Sequence, residues 1–595
     1  MMRSLLLKLV SAYFGLIRVP ASLRKALELG TDCTIITQGS SLVVHAMLLS
    51  FARRENLNGT VYCADRLTTL AERDPTQLYW CSISDEGTLA KLVAESPEHF
   101  FSTLNIFRAR GPIRSTPTYT MSIWRQILLL VGSRFLIVIF GAPIQLPEKS
   151  GAHPKHASRS LKLDFYRNLK LVRGAPFQSL ETQARSILGG AEFEREIRII
   201  AARLGKSEKA LRALAHKAFY QMAANPRAPI YWITAPIFFL IINRLFSQVE
   251  TRGLDKLREA VRDSTVVLVP MHRSHLDYIL LSVGLYESNL NPPIVAAGIN
   301  LNFWPFGFFI RSLGAYFVKR DARRDRVHAL VLRRYVTYLV KRGHVQEFFI
   351  EGGRSRSGKM GQPKVGLLAT IVNAYLHGLR KNILFVPVSL TYENVIEDEV
   401  FGDENTGRSK TKENLVSLLR AADVLKRRYG DVIIRFGDPI SLAEFSKDYS
   451  NGQPGRIVKE KALVGDLASR LIQTIRDQSD VSLTYLAHTA LMSSSGYGMS
   501  RQELAHSIRN LAQIATVVGS QKLKAPDFTP SLDSFLQGRE FLLDNLGRSG
   551  TIVLKRFLNE DVFYIPGRKR FTADFYKNSS IHLFFAPALM ALLEL

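Results

Sequence analysis

From Thr265 to about Ile440, short apolar runs of strand length alternate with stretches of helical periodicity, and this alternation limits the fold more than any other property of the chain. The strand-like runs are residues 266–269, 294–297, 315–318, 345–350, 383–390 and 432–436, and helical stretches occupy 276–286, 329–340 and 366–376. Apolar runs too short for helices, each separated from the next by a helix or a crossover, read as strands of a parallel sheet with helices on its faces. The expectation is an α/β layer sandwich with a mixed, largely parallel sheet over 263–445. An N-terminal α+β region precedes it over 1–145, with a helical subdomain over 175–262 and a mainly helical C-terminal region over 456–595. Residues 149–173, basic and containing Gly151, Pro154, Ser158 and Ser160, read as a linker.

Charge narrows the partners. Lys and Arg number 79 against 52 Asp and Glu, a formal +27, which draws anionic surfaces and phosphorylated substrates. No aromatic-interleaved basic groove or reading helix stands out, so nucleic acid is not expected. Cys33, Cys63 and Cys81 have neither disulfide nor metal-ligand spacing, which fits a reducing, cytoplasmic-side location. Residues 1–20 carry Arg3, Lys8 and Arg18 but no acid, and read as an interfacial amphipathic helix in preference to a cleaved signal. The apolar run 127–145 is broken by Arg134, and 230–242 is too short to cross a hydrocarbon core of about 30 Å. Together these predict peripheral attachment to an anionic membrane surface. The basic stretch 323–342 reads as a solvated helix face.

Two segments carry chemistry, and both leave strand-like runs at their carboxyl ends, where open α/β sheets gather ligands. At the first, His272 and Asp277 stand five residues apart. Such a pair often does no more than cap a turn. At a strand exit, however, Asp277 can accept from one ring nitrogen and stabilise the imidazolium that forms when His272 takes a proton at the other. A dyad with no nucleophile of its own suits activation of a substrate hydroxyl. In the second segment, Glu351-Gly352-Gly353-Arg354-Ser355-Arg356-Ser357-Gly358, two guanidiniums sit in a glycine-rich turn that lets backbone N–H groups approach an anion. Lys319 and Arg320, after the run 315–318, add further positive charge.

The run from Val269 to Tyr278 resembles the first signature block of the glycerolipid acyltransferases. Residues 297–305 and 311–320 resemble the second block, 351–358 the third and 385–389 the fourth, in family order over about 120 residues. The wording of the second and third blocks is similar to that of the bacterial glycerol-3-phosphate acyltransferase branch, and Phe575 to Phe585 also looks familial. The resemblance implies an acyltransferase layer sandwich that moves a fatty acyl group from acyl-CoA or acyl carrier protein to the sn-1 hydroxyl of glycerol 3-phosphate. His272 would be the general base and Asp277 its orienting partner. Lys319, Arg320, Arg354 and Arg356 would hold the phosphate, and Glu351 and Gly352 would shape the loop. A thioester is already activated, so no metal or redox cofactor is implied. Base, alignment and an oxyanion donor suffice, the last expected from backbone N–H groups near the first or third block. Dihydroxyacetone phosphate and 1-acylglycerol phosphate remain alternative acceptors, and a non-catalytic basic lipid-binding relative remains the alternative of another class. The expected location is the cell inner membrane, peripheral, on the cytoplasmic side.

Overall fold

A computed structural model of the chain describes residues 33–37, 48, 61–63, 78–82, 100–107, 137–140, 144–145, 154–319, 325–397, 426–450, 456–495, 498–518, 550–557 and 560–593. Two compact units emerge, one of residues 1–177 with 289–291, the other of 178–288 with 292–595. The expectations for residues 1–20 and for Arg320 fall outside the described residues.

The first unit holds strands β1 (Cys33–Thr37), β2 (Val61–Cys63), β3 (Leu78–Ser82), β4 (Phe100–Phe107), β5 (Ile137–Phe140) and β6 (Ile144–Gln145), in the order β2-β3-β1-β4-β5 with β6 also on β4. Helix α1 (Pro154–Arg173) lies where a linker was expected. Leu161, Phe165, Leu169 and Val172 recur at helical spacing and are buried, so an apolar stripe outweighs the loop-forming residues at its start.

The second unit opens with helices α2 (Leu180–Ile187), α3 (Ala191–Leu204), α4 (Glu208–Met222) and α5 (Ala228–Leu245). A strand, β7 (Gln248–Arg252), then interrupts the expected helical stretch, and α6 (Leu254–Asp263) follows. The central sheet is built from β8 (Thr265–Pro270), β9 (Ile294–Gly298), β10 (Ala315–Val318), β11 (Gln346–Glu347), β12 (Ile383–Tyr392) and β13 (Asp431–Phe436), with the short β14 (Ile440–Ser441) on β12. Its order is β10-β9-β11-β8-β12-β13-β7. The run from β10 to β12 is parallel, while β13 is antiparallel to β12 and parallel to β7. The mixed, largely parallel sheet is therefore as expected, with β7 as an added edge. Every residue of β8 is buried, as a central strand covered on both faces requires.

Helices α7 (Asp277–Glu287), α8 (Phe306–Ser312), α9 (Arg326–Arg342) and α10 (Gly366–Leu376) connect the strands. Asp325 caps α9 by accepting from the His328 amide at 3.0 Å. The basic face of α9 is not wholly solvated as expected. Arg334 reaches Glu192 and Glu196 at 3.2 and 3.1 Å, and Arg333 pairs with Glu196, which docks α9 on α3. Beyond the sheet come α11 (Arg456–Asp477), α12 (Leu483–Ser493), α13 (Arg501–Val518) and α14 (Arg570–Leu593). A small antiparallel sheet, β15 (Gly498–Ser500), β17 (Glu560–Tyr564) and β16 (Val553–Phe557), sits among these helices where only helix was expected.

Helix α5 departs most from the sequence reading. Its 18 residues make it long and apolar enough, by length and composition, to cross a membrane, at a mean hydropathy of 1.4. It is tied down near both ends, by buried Tyr231, whose hydroxyl donates to the Leu313 carbonyl at 2.7 Å, and by buried Ile242 and Leu245. Between these, Trp232, Ile233, Ile237, Phe239 and Leu240 are exposed, so it is not the buried core helix that a run of this kind usually forms.

Candidate active site

The first block forms because β8 ends in Pro270, which has no N–H with which to extend the ladder. The Met271 amide makes the last rung, to the Val388 carbonyl at 3.0 Å, and the chain then turns. The turn wraps the Asp277 carboxylate, which is fully buried at the start of α7. Asp277 Oδ2 accepts from His272 Nδ1 at 2.8 Å and from the amides of Arg273 and Ser274 at 2.7 and 3.0 Å. Oδ1 accepts from the Tyr392 hydroxyl, on the strand paired with β8. Burial, and then the neighbouring carboxylate of Asp277, push that hydroxyl well above the ordinary tyrosine range, which keeps it a donor. The His272 ring lies against Phe349, centroids 4.0 Å apart and planes 23° apart. With Nδ1 committed to Asp277, Nε2 is the nitrogen left for a substrate proton.

The third block is bonded directly to the first. Glu351 Oε1 accepts from the His272 amide at 2.9 Å and Oε2 from the Gly361 amide at 2.8 Å, so this carboxylate bridges the two ends of its own loop and the dyad. The Ser355 amide returns a bond to the His272 carbonyl at 3.0 Å. Gly352 takes φ +65°, and a Cβ there would lie 2.7 Å from Lys364 Cγ, so both conformation and space require glycine. Glu351 and Gly352, expected to shape the loop, are placed within it by these contacts.

The structure gives the expected phosphate ligands unequal surroundings. Arg354 Nη1 lies 3.5 Å from Glu397 Oε1 across the loop, while Arg356 is half-buried two residues on. Lys319 is engaged by Asp325 at 2.8 Å, the same carboxylate that caps α9. It leaves β10, two strand spacings or about 10 Å from β11, a gap its long side chain can narrow. Backbone N–H groups near the first or third block were expected to donate to the oxyanion, and the amides of the first block are already engaged. Those of His272, Arg273, Ser274 and His275 are all taken by the carboxylates of Glu351, Asp277 and Glu397.

Sequence reading missed Tyr392 and Glu397. Tyr392 ends a parallel strand at the ligand-binding edge, a position that could have flagged it. Glu397 has no local signal. It accepts from Ser274 Oγ at 2.8 Å and the His275 amide at 2.7 Å, and faces Arg354. Burial pushes its carboxyl up, while Arg354 and those two donors pull it back.

Residues 248–391 match the family described as Acyltransferase, and residues 402–594 match the Glycerol-3-phosphate acyltransferase C-terminal region. Among curated proteins, the chain is 31% identical over 482 residues to the glycerol-3-phosphate acyltransferase of Xanthomonas axonopodis pv. citri (strain 306), covering 78% of this chain and 53% of that protein. It is 31% identical over 444 residues to the protein of the same name from Pasteurella multocida (strain Pm70), covering 73% and 54%. The chain spans about half the length of these relatives. Among solved structures, the 1-acyl-sn-glycerophosphate acyltransferase of Thermotoga maritima matches at 16% identity and a TM-score of 0.24, over 53% of this chain and 96% of that one.

Proposed function

Because this chain belongs to the glycerol-3-phosphate acyltransferase family, we propose that it transfers a fatty acyl group from acyl-CoA or acyl carrier protein to the sn-1 hydroxyl of glycerol 3-phosphate. The observation that carries the proposal is the contact of His272 Nδ1 with buried Asp277 at 2.8 Å, next to a loop that presents Arg354 and Arg356. His272 Nε2 takes the acceptor's hydroxyl proton as that oxygen attacks the thioester carbonyl. Asp277 balances the imidazolium, and collapse of the tetrahedral intermediate expels the thiolate, which recovers the proton from His272. The products are an ester and a free thiol. Arg354 and Arg356, with Lys319 and Arg320, hold the phosphate so that the hydroxyl meets the base. The binding energy gained there is used to align the reacting groups.

The reaction joins a polar acceptor to a lipid, and the exposed apolar residues of α5 support a peripheral location on an anionic membrane surface, taken to be the cytoplasmic side of the inner membrane. Trp304, 88% exposed, and Phe308 and Phe309 of the adjacent α8 enlarge that apolar area, and Arg227 lies over Phe308. No Asp or Glu occurs from Ala223 to Val249 or from Ser288 to Lys319, so nothing acidic on these segments opposes anionic headgroups.

Thiol release from palmitoyl-CoA by the purified protein in lipid-detergent micelles, with and without glycerol 3-phosphate, tests the reaction. Release should require the acceptor and vanish in His272→Ala. Dihydroxyacetone phosphate and 1-acylglycerol phosphate as competitors test the choice of acceptor. No release with any glycerophosphate acceptor, from either class of donor, would refute the proposal.

A further inference from the structure

Helix α14 lies more than two hundred residues beyond the third block, yet touches it at backbone level. Asn578 Nδ2 donates to the Ser357 carbonyl at 2.9 Å. One residue on, Gly358 takes φ +79° and packs so closely under α14 that a Cβ would stand 2.0 Å from the Phe575 carbonyl oxygen. On its other side the loop is held by the bonds from the His272 amide to Glu351 and from the Ser355 amide to the His272 carbonyl. Arg356 therefore sits between two fixed points, one on the catalytic turn and one on α14.

The same helix reaches the partner of Arg354. The Tyr576 hydroxyl accepts from the Val395 amide at 3.1 Å, two residues before Glu397, the carboxylate facing Arg354. Tyr576 is fully buried, and its ring lies 4.6 Å from that of His488 on α12. Tyr576 and Asn578, two residues apart on α14, thus bear on both arginines through two separate segments.

We propose that α14 is a positioning element for the phosphate-holding loop, and that Asn578, through its bond to the Ser357 carbonyl, sets affinity for the phosphate end of the acceptor. This rests on the reading above, in which Arg354 and Arg356 hold that phosphate. Asn578 touches neither the reacting atoms nor the dyad, so its contribution belongs in the KM for the phosphorylated acceptor. An ordinary hydrogen bond lost from the loop corresponds to about a fivefold change.

The test measures initial rates for Asn578→Ala and for Asn578→Asp, which keeps the shape but loses the donor, with glycerol 3-phosphate and with glycerol as acceptors. The expected result is a KM for glycerol 3-phosphate raised about fivefold in both variants. The kcat, the KM for the acyl donor, the melting temperature and the slow rate with glycerol should stay as in the wild type. An unchanged KM for glycerol 3-phosphate in Asn578→Asp would overturn the inference. So would a parallel loss of both acceptors accompanied by a lower melting temperature, which would reduce the contact to a structural one. Wild-type protein that used glycerol as well as glycerol 3-phosphate would instead refute the underlying assignment of the arginines, and the inference with it.

Discussion

Asp277→Asn separates the charge of the carboxylate from its shape. Turned with its oxygen toward the ring and the two amides, asparagine keeps the bonds from His272, Arg273 and Ser274, and presents its NH2 to the Tyr392 hydroxyl, which can accept. Folding should therefore be weakened by only about 1 kcal/mol, one ordinary hydrogen bond remade less well. The transition state loses much more. An imidazolium 2.8 Å from the carboxylate gains about 6 kcal/mol at an effective dielectric of about 20, and the asparagine variant forfeits most of it. At about 1.4 kcal/mol per decade, kcat should fall by three to four orders of magnitude, roughly. The assay is thiol release at saturating glycerol 3-phosphate, paired with a urea midpoint for each protein. A kcat within about tenfold of wild type, with the urea midpoint unchanged, would refute the claim that Asp277 stabilises positive charge on His272.

Tyr392→Phe strips the only donor to Asp277 Oδ1 among the described residues and leaves that oxygen buried and unpaired, so a loss of about 1–3 kcal/mol in stability, read from the urea midpoint, is expected, with a smaller fall in kcat than for Asp277→Asn. Acidification should loosen the C-terminal helices. Burial pushes His488 down to about 4, and burial with the charges of Arg476 and Arg273 does the same for His582. Both folded values lie below the unfolded value near 6.5, so the stability these rings contribute is complete above that pH and is lost as pH falls toward 4. The loss is about 2 kcal/mol per histidine at pH 5. His488→Gln should remove about half of the fall in melting temperature between pH 7 and 5 that these two rings cause, and an unchanged pH slope would contradict the assignment. Glu347 and Glu397, whose carboxyls are raised by burial, titrate with the opposite sign, which is why the comparison is made between variants and not from the wild-type curve alone.

What could be read from the sequence was local. The run 315–318 and the helix 366–376 appear with the bounds that periodicity gave them, because the strand is apolar throughout and mostly buried and the helix buries Leu368, Ile371 and Val372 at helical spacing. Where polar residues carry a strand the reading fails. Gln248–Arg252, with the sequence QVETR, was absorbed into the helical stretch, although pairing with β13 makes it a sheet edge. Of the run 345–350 only Gln346–Glu347 is strand, since the chain then leaves the ladder to form the loop that carries the arginines. The dyad was legible because its two members lie in one turn. Its partners Tyr392 and Glu397 were not, because they reach the first block from 115 and 122 positions away, and no periodicity records which distant carboxyl or hydroxyl closes a bond; Glu351, 79 positions away, was named as a loop residue, but its bond to the His272 amide was not.

Those distant partners decide how charge is shared beneath the site. Four buried carboxyls gather there, one of them Glu351, which holds the His272 amide and its own loop, and the other three meet different fates. Asp277 has four donors and faces His272. Glu397 has Ser274, His275 and the Arg354 guanidinium, so its charge is directed at the phosphate loop. Glu347 is fully buried on β11, and neither of its oxygens has a hydrogen-bond partner among the described residues. Burial, and then the charge of Asp277, raise its carboxyl well above the ordinary range, which favours its neutral form. Of these carboxyls, Asp277 is the one bonded to the imidazole. That balance suits a base that must also give its proton back. A second negative charge behind the ring would hold the imidazolium more tightly and slow the return of the proton to the departing thiolate, while no charge at all would leave the first transfer unsupported.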